Sequence, residues 1–344
     1  MPYMKRYLGR LNYASGATST LSLPREHFYN RLLLDFVLEA QTSTANTWCA
    51  NSHKLIAPRI EEIANGQLVI KSFSEYQKYC NNFLTYGSPS YEVGAGVAAS
   101  TAARRLWIVI ENAINTADIT CLLPSHLLSS LDLKITWETA ATLTNSGTLV
   151  VTSTYCDVYS LEMINQGQDA RAAILNKQTV LSKTVTATGY AEIDMPLGNV
   201  YRELTLFTQG GATATGYQLN TVTDIELIQD GVVYHRKTNY YEFYAENIVE
   251  SAGVKPPTLI GGTGLSPTQT EALNAGVILI ELDYQNYNSG GSSNPVALLR
   301  ALPHLPDTSK MATWKLRCNV PSVANAVVLD LMMQELILPK VRRA

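Results

Sequence analysis

Apolar and polar residues alternate with a period of two along much of this chain, and the alternation falls into two similar halves. From Thr18 to Pro24, Leu21 and Leu23 share one face; from Ala191 to Pro196, Ile193 and Met195 do the same. Period two marks a strand with one buried face. Second strands are expected at Tyr29–Leu38 and Tyr201–Phe207. Asn65-Gly66 and Asp230-Gly231 then interrupt apolar segments. Both positions of a two-residue hairpin turn take φ > 0, which Asn, Asp and Gly tolerate. Tight hairpins are therefore expected for Ile60–Ala64 with Gln67–Ile70 and for Ile225–Ile228 with Val232–His235. Trp107–Glu111 and Val277–Glu281 are continuous apolar runs, the pattern of strands buried on both faces. The remaining strands expected are Leu131–Trp137 with Leu149–Tyr155, and Thr313–Cys318 with Val327–Leu338.

After each hairpin the period lengthens. Phe73, Tyr76, Tyr79, Cys80 and Phe83 fall at helical spacing, as do Tyr240, Tyr241, Tyr244 and Ile248. Each set predicts a short helix whose aromatic stripe packs into a core. A further helix is expected from Ser266 to Asn274 or Gly276, with Ser266 as cap, Pro267 in the first turn and Gln269 closing a capping box. The stretch Gln166–Lys183 reads as a link, partly helical around Asp169–Asn176.

The halves echo one another in sequence. Ile60-Glu61-Glu62-Ile63-Ala64-Asn65-Gly66 returns as Ile225-Glu226-Leu227-Ile228-Gln229-Asp230-Gly231, and 7 of the 23 positions from Ile60 to Asn82 are identical without a gap. Leu23-Pro24 with Tyr29 returns as Met195-Pro196 with Tyr201, and Trp107–Glu111 as Val277–Glu281. Leu123-Pro124-Ser125-His126-Leu127 returns as Leu302-Pro303-His304-Leu305, Trp137 as Trp314, and Val150-Val151 as Val327-Val328. The shifts run from 165 (231 − 66) to 179 (302 − 123). Ordered echoes of this kind imply duplication of one unit. The expected fold is all-β: two tandem eight-stranded antiparallel jelly rolls with short helices in the inter-strand loops. The expected domains are 1–165, with a basic N-terminal arm, and 166–344, with a basic C-terminal tail.

A chain of 344 residues suits two such domains, each large enough to bury a core. Only 16% of residues are charged and 19 are Tyr, a mix that favours strands and surfaces meeting other protein. A net charge of −3 argues against coating nucleic acid by charge neutralisation. Cations gather at the two ends instead: Lys5, Arg6 and Arg10, then Lys340, Arg342 and Arg343. Two readings stand, an ordinary solvated tail and a face turned to something anionic such as lipid headgroups or a genome. No apolar h-region follows Met1–Arg10, so no signal peptide is expected. Ala326–Pro339, interrupted by Asp330, Gln334 and Glu335, is too short and polar for a membrane span. Cys49, Cys80, Cys121, Cys156 and Cys318 are odd in number without a CxxC, and read as reduced, mostly buried thiols.

Signs of catalysis are weak. His27, His53, His126, His235 and His304 stand apart, with no HxH and no HExxH. His126 and His304 share an echo position but show no ligand cluster, so a structural or interface role is expected, with no metal and no cofactor. Gly94-Ala95-Gly96-Val97-Ala98-Ala99 fits a dinucleotide pattern without the strand–turn–helix that would make a phosphate cradle. Glu61 and Glu62 point to opposite faces of one strand. Glu111 and Glu281 end equivalent strands and would act together only across a shared cleft. No catalytic residue is assigned.

The tandem barrels, the strand–Asn/Asp-Gly–strand element in each half and the Pro-bounded first strands resemble the double jelly-roll major capsid proteins of tailless icosahedral viruses, many with an internal membrane, in the lineage that includes adenovirus hexon. The resemblance covers about Thr18–Leu338 and rests on architecture and on the hairpins Ile60–Ile70 and Ile225–Lys237. It implies a non-enzymatic coat protein of the virion, assembled in the host cytoplasm, whose homotrimers are pseudo-hexagonal capsomers. Partners would be further capsomers, minor capsid and vertex proteins, and a lipid membrane touched by the six terminal cations; sequence-specific nucleic-acid binding is not implied. Short loops beside the tower loops of hexon favour a small bacteriophage or archaeal virus. Alternatives are a two-domain receptor- or carbohydrate-binding protein, for which Trp48, Tyr284 and Tyr287 are candidates, and a twin-barrel hydrolase using Glu111 and Glu281.

Overall fold

The alternating segments fold as antiparallel strands. The computed structural model describes residues 3–39, 47–48, 55–86, 92–93, 104–113, 122–146, 153–165, 174–210, 221–237, 277–282, 305–323 and 326–338. The chain forms two units: Met1–Phe83, Pro89–Gln178 and Leu338–Ala344 make unit 1, and Leu84–Ser88 with Thr179–Ile337 make unit 2.

In order come β1 (Tyr3–Asn12), β2 (Thr18–Ser22), β3 (Phe28–Leu38), β4 (Thr47–Trp48), β5 (Arg59–Ala64), β6 (Leu68–Phe73) and helix α1 (Glu75–Tyr86). Next are β7 (Glu92–Val93), β8 (Arg104–Glu111), β9 (Leu123–Pro124), β10 (Leu131–Thr136), β11 (Thr144–Ser146) and β12 (Tyr155–Met163). Strand β13 (Leu175–Val185) begins in unit 1 and continues in unit 2. Then follow β14 (Gly189–Asp194), β15 (Val200–Gly210), β16 (Ile225–Gln229), β17 (Val232–Lys237), β18 (Val277–Glu281), β19 (Trp314–Val320) and β20 (Val327–Ile337).

Unit 1 has one sheet ordered β1-β12-β3-β8-β7, with β9 also on β3, and a second run β2-β10-β5-β6. Unit 2 repeats both: β13-β20-β15-β18 and β14-β19-β16-β17. Eight strands in one unit thus have eight counterparts in the other, in the same order, which is two jelly rolls. The helix expected from the Phe73–Phe83 stripe is α1, with Tyr76, Tyr79 and Cys80 buried. The helices expected around Tyr240–Ile248 and from Ser266 lie outside the described residues.

Both hairpins form where Asn-Gly and Asp-Gly predict them. Asn65 and Gly66 have φ of 53° and 73°, and Asp230 and Gly231 have 49° and 83°. The polar side chains then close each turn onto the neighbouring strand. Asn65 Oδ1 accepts from Ser129 N (2.7 Å), and Asp230 Oδ1 from Ala312 N and Thr313 N (2.7 and 2.8 Å). A Cβ added at Gly66 or Gly231 would meet nothing within 4 Å, so only backbone strain opposes it. Gly231→Ala is expected to cost about 1–2 kcal/mol, and urea denaturation of the variant checks it.

Strand register gives the true correspondence between halves. Leu21 faces Leu133 while Ile193 faces Leu316, so shifts of 172 (193 − 21) and 183 (316 − 133) apply to the first strand and to β10. Asp35 lies between Asp157 and Trp107 as Phe207 lies between Asp330 and Val277, giving 173 for β12 and 170 for β8. The hairpin loops differ by one residue. Ala64 pairs with Leu68, but Gln229 pairs with Val232, so the ungapped echo breaks after Gly66 and β6 matches β17 at 164 (232 − 68).

Three expected equivalences fail against this register. Trp314 pairs with Gln229, the counterpart of Ala64, whose partner is Leu131; Trp314 therefore opens its strand, whereas Trp137 follows the end of β10. The shift of 183 sets His126 opposite Ser309, not His304. Ser125 and Thr308 share the position: Ser125 Oγ donates to His27 O and Thr308 Oγ1 to Asn199 O, carbonyls that themselves differ by 172. Val327 matches Thr154 and not Val150. Insertions in loops had slid similar words past one another.

Other expectations need correction. Leu175–Val185 is strand β13, in place of a partly helical link. Tyr3–Asn12 is a ten-residue strand paired to β12, not a free arm. The described part of the Leu149–Tyr155 strand begins at Tyr155 and runs on to Met163. Strand β18 is buried on both faces as expected, but β8 alternates: Leu106, Ile108 and Ile110 are buried and Trp107 and Val109 half-buried. Cys80, Cys156 and Cys318 are buried, and burial pushes the Cys318 thiol up to about 12.

Candidate assembly surface

One face of the β1-β12-β3-β8 sheet points away from the core of unit 1. Cross-strand partners place Tyr7, Tyr159, Leu33 and Val109 in one row across it. The next row is Arg10, Asp157, Asp35 and Trp107. Leu33, Tyr159, Val109 and Trp107 are only half-buried, and Tyr7 is 53% exposed.

The side chains on this face hold one another. Trp107 stacks on Tyr159 with ring centroids 5.8 Å apart and planes at 12°, and Tyr7 tilts onto Tyr159 at 5.3 Å. Lys5 Nζ lies 5.6 Å from the Tyr159 centroid and 5.9 Å from Trp107; the Arg105 guanidinium lies 5.6 Å from Trp107. Cations over aromatic faces keep such rings fixed in water. Tyr, Trp and Arg are also the residue types that anchor protein interfaces.

The same rows in unit 2 are Met332, Thr205 and Leu279, then Asp330, Phe207 and Val277. Met332, Thr205, Phe207 and Leu279 are buried within the chain, at 1%, 1%, 0% and 5% exposure. The first rows of the two faces therefore differ, buried in unit 2 and partly exposed in unit 1, although Asp35 and Asp157 of the second row of unit 1 are buried.

Lys5 and Arg10 of the sequence candidates meet this face. Arg6, between Lys5 and Tyr7 on β1, turns to the opposite side, where it bonds the buried carboxylate of Glu162 (3.1 Å) and also Glu26 (3.2 Å). Arg10 grips Asp157 in bidentate fashion at 2.8 Å twice, with its guanidinium 3.5 Å from the Tyr155 ring centroid. Both charges are thus spent on fastening β1 to β12. Lys5 is exposed. Lys340, Arg342 and Arg343 lie outside the described residues.

The remaining chemistry candidates disperse. Glu111 ends β8 and accepts from Lys78 Nζ at 2.8 Å, which makes it the partly exposed end of an ion pair whose cation is buried. Glu281 ends β18 at the matching position. His126 packs edge-on against Phe28 at 4.7 Å, and burial lowers its pKa. His27 Nδ1 accepts from Asn165 N. Among the described residues no group of three or more His, Cys, Asp or Glu side chains is placed to hold a metal. His53, His304, Tyr284, Tyr287 and Gly94–Ala99 lie outside the described residues. Trp48 lies on β4 and His235 on β17.

Sequence reasoning missed the acidic partners Glu162, Asp157 and Asp35. Only the odd presence of charge in alternating strands pointed to them.

No protein-family model and no curated protein matches the chain. Solved structures do. The chain is similar to the major capsid protein (MCP) of STIV, Sulfolobus Turreted Icosahedral Virus, at 12% identity over 98% of each chain with a TM-score of 0.72. It is similar to the major capsid protein P2 of bacteriophage PM2 at 10% identity over 100% of both chains, with a TM-score of 0.60. It is also similar to the PBCV-1 virus capsid at 12% identity over 97% of this chain and 93% of that one, with a TM-score of 0.59. These likenesses are of fold, and the fold is the double jelly roll.

Proposed function

We propose that this chain is the major coat subunit of an icosahedral virion and acts by assembly, without catalysis. The observation that carries the reading is the open face of unit 1. Its counterpart in unit 2 is already buried, so a second copy of the chain is the natural cover for Tyr7, Tyr159 and Trp107. A duplicated barrel under closed threefold symmetry gives six similar wedges, and three chains then form a hexagonal tile. The double jelly-roll neighbours, described as capsid proteins, support the same role.

Tyr7→Ala with Tyr159→Ala removes two aromatic anchors from that face. The variant is expected to weaken self-association by about 2 kcal/mol, roughly 30-fold in dissociation constant. The monomer should keep its thermal transition within a few degrees. Sedimentation velocity across a concentration series measures the first and calorimetry the second; unchanged association would remove this face from the interface.

The exposed Lys5, with Lys340, Arg342 and Arg343 of the C-terminal sequence, would supply charge to an internal lipid membrane, at about 1 kcal/mol per charge near an anionic surface. Arg6 and Arg10 leave that set because their carboxylate partners are in the same unit. Minor capsid and vertex proteins would complete a shell assembled in the host cytoplasm. Negative-stain electron microscopy of concentrated protein tests the coat role: pseudo-hexagonal particles or shells support it, and isolated monomers at every concentration oppose it.

A further inference from the structure

We propose that the edge strand β17 of unit 2 pairs with β1 of a second copy of the chain, continuing one sheet from copy to copy. The inference rests on the coat reading and names the strands through which self-association runs.

An edge strand offers a row of backbone N–H and C=O groups to any extended chain that meets it. Strand β1 ends one sheet of unit 1, and β17 ends one sheet of unit 2. Soluble proteins blunt such edges with charge or proline. The opening half of β17, Val232-Val233-Tyr234, carries neither, and these residues are 68%, 43% and 46% exposed. Along β1 every residue from Tyr3 to Arg10 is exposed or half-buried, with Tyr3 at 41% and Tyr7 at 53%.

The internal repeat supplies the occupant. In unit 1 the counterpart of β17 is β6, and it is covered: β13 lies beside it, and the residues Leu175–Gln178 that open β13 belong to unit 1. Lys71 Nζ donates to Asn176 O there at 2.7 Å. The shift of 164 sets Leu68, Val69 and Ile70 against Val232, Val233 and Tyr234. Ile70 is 2% exposed where Tyr234 is 46%. Both hairpins bulge at this residue: Ile63 pairs with Val69 and Glu62 with Lys71, as Ile228 pairs with Val233 and Leu227 with His235. A bulge can turn an edge away from partners, but β6 pairs in spite of it, and β17 has the same shape.

Strand β13 in turn corresponds to β1. Arg10 reaches Asp157 as Ser182 reaches Asp330, at shifts of 172 (182 − 10) and 173 (330 − 157). Leu175–Gln178 therefore match the opening of β1, from Tyr3 to Arg6. Asn176 and Gln178 are buried at 3% and 4%, whereas Met4 and Arg6, at the same places in β1, are half-buried. One strand of each kind is thus joined inside unit 1, and the remaining two stand at sheet ends. A second copy holds the matching strand for each: its β1 for this β17, and its β17 for this β1. Such a contact is heterologous, and repeating it by a closed rotation makes a ring.

Chemical cross-linking of the full-length wild type tests the pairing. The contact of Lys71 with Asn176 carries over to His235 beside Met4. Lys237 and Lys5 then lie at most about three residues apart along the paired strands, roughly 10 Å. An amine-reactive cross-linker is expected to join Lys5 to Lys237 in the covalent multimers of a denaturing gel and not in the monomer band, as read by mass spectrometry of the digested bands. Val232→Lys with Val233→Lys puts charge on two exposed positions of the edge. This variant should lose the link and self-associate about tenfold or more weakly in sedimentation, with circular dichroism unchanged. The wild-type link decides the matter if the variant does not fold. Trimers without the Lys5–Lys237 link overturn the edge pairing and leave the coat reading standing. A link of equal yield in the monomer band overturns it as well, as does a folded charged variant that associates as tightly as the wild type. A wild type that never self-associates removes both readings.

Discussion

Replacing Lys78 by methionine is expected to cost about 3 kcal/mol of folding stability, because it removes the cation paired with Glu111 together with its bonds to Asn81 and Gln178. Lys78 is 1% exposed, and its ammonium uses all three donors: Asn81 Oδ1 at 3.0 Å, Glu111 Oε2 at 2.8 Å and Gln178 Oε1 at 3.1 Å. Methionine fills the volume and supplies none of these bonds. Glu111 keeps 23% of its side-chain surface, so water softens its loss and the figure stays at the lower end for a broken buried pair. The double variant Lys78→Met/Glu111→Gln should recover a large part of the loss, since no uncompensated charge then remains. Urea midpoints of the two singles and the double measure the coupling; additive losses would mean that the pair is not a unit.

Trp137→Ala is expected to cost more, about 3–5 kcal/mol, as a large aromatic lost from a sealed site. Trp137 is 1% exposed, lies edge-on to Tyr13 and Phe36 at 5.7 and 6.1 Å, and donates Nε1 to Ser19 Oγ at 2.8 Å. Trp314, equally buried, packs on Tyr201 and Tyr234, but its Nε1 finds no partner. The two phenylalanine variants should therefore differ. Trp137→Phe loses a hydrogen bond, worth about 1 kcal/mol, and Trp314→Phe removes an unsatisfied donor. Chemical denaturation of both checks the order; equal losses would show that the Ser19 bond contributes nothing.

These two tryptophans also mark where the sequence was legible. Hairpins carry local signals: Asn65-Gly66 and Asp230-Gly231 need only their own dihedrals, and both turns form. Strands with clean alternation, such as Leu131, Leu133 and Ile135, follow for the same reason. Seeing that Trp137 and Trp314 are not equivalent needed non-local register, which loop insertions hid. Strand β1 was read as a basic arm because Arg6 and Arg10 look solvated; their partners Glu162 and Asp157 are 156 and 147 residues away. Strand β13 is similarly masked by Lys177, Lys183 and a run of Ser and Thr.

The assembly face was the least legible feature. Tyr7, Leu33, Val109 and Tyr159 come from four strands and form a row only once β1, β12, β3 and β8 lie side by side. Composition hinted at it, with 19 Tyr and few charges, but could not say where. The buried contact of Lys71 with Asn176 was hidden in the same way, since alternation records which face a residue takes and not what it meets there.

Native mass spectrometry of the purified chain tests the capsomer claim most directly. A dominant species of three 37.7-kDa chains, persisting on dilution to nanomolar concentration, is expected. A monomer at micromolar concentration and neutral pH, from protein whose circular dichroism is that of a folded β-structure, would contradict it.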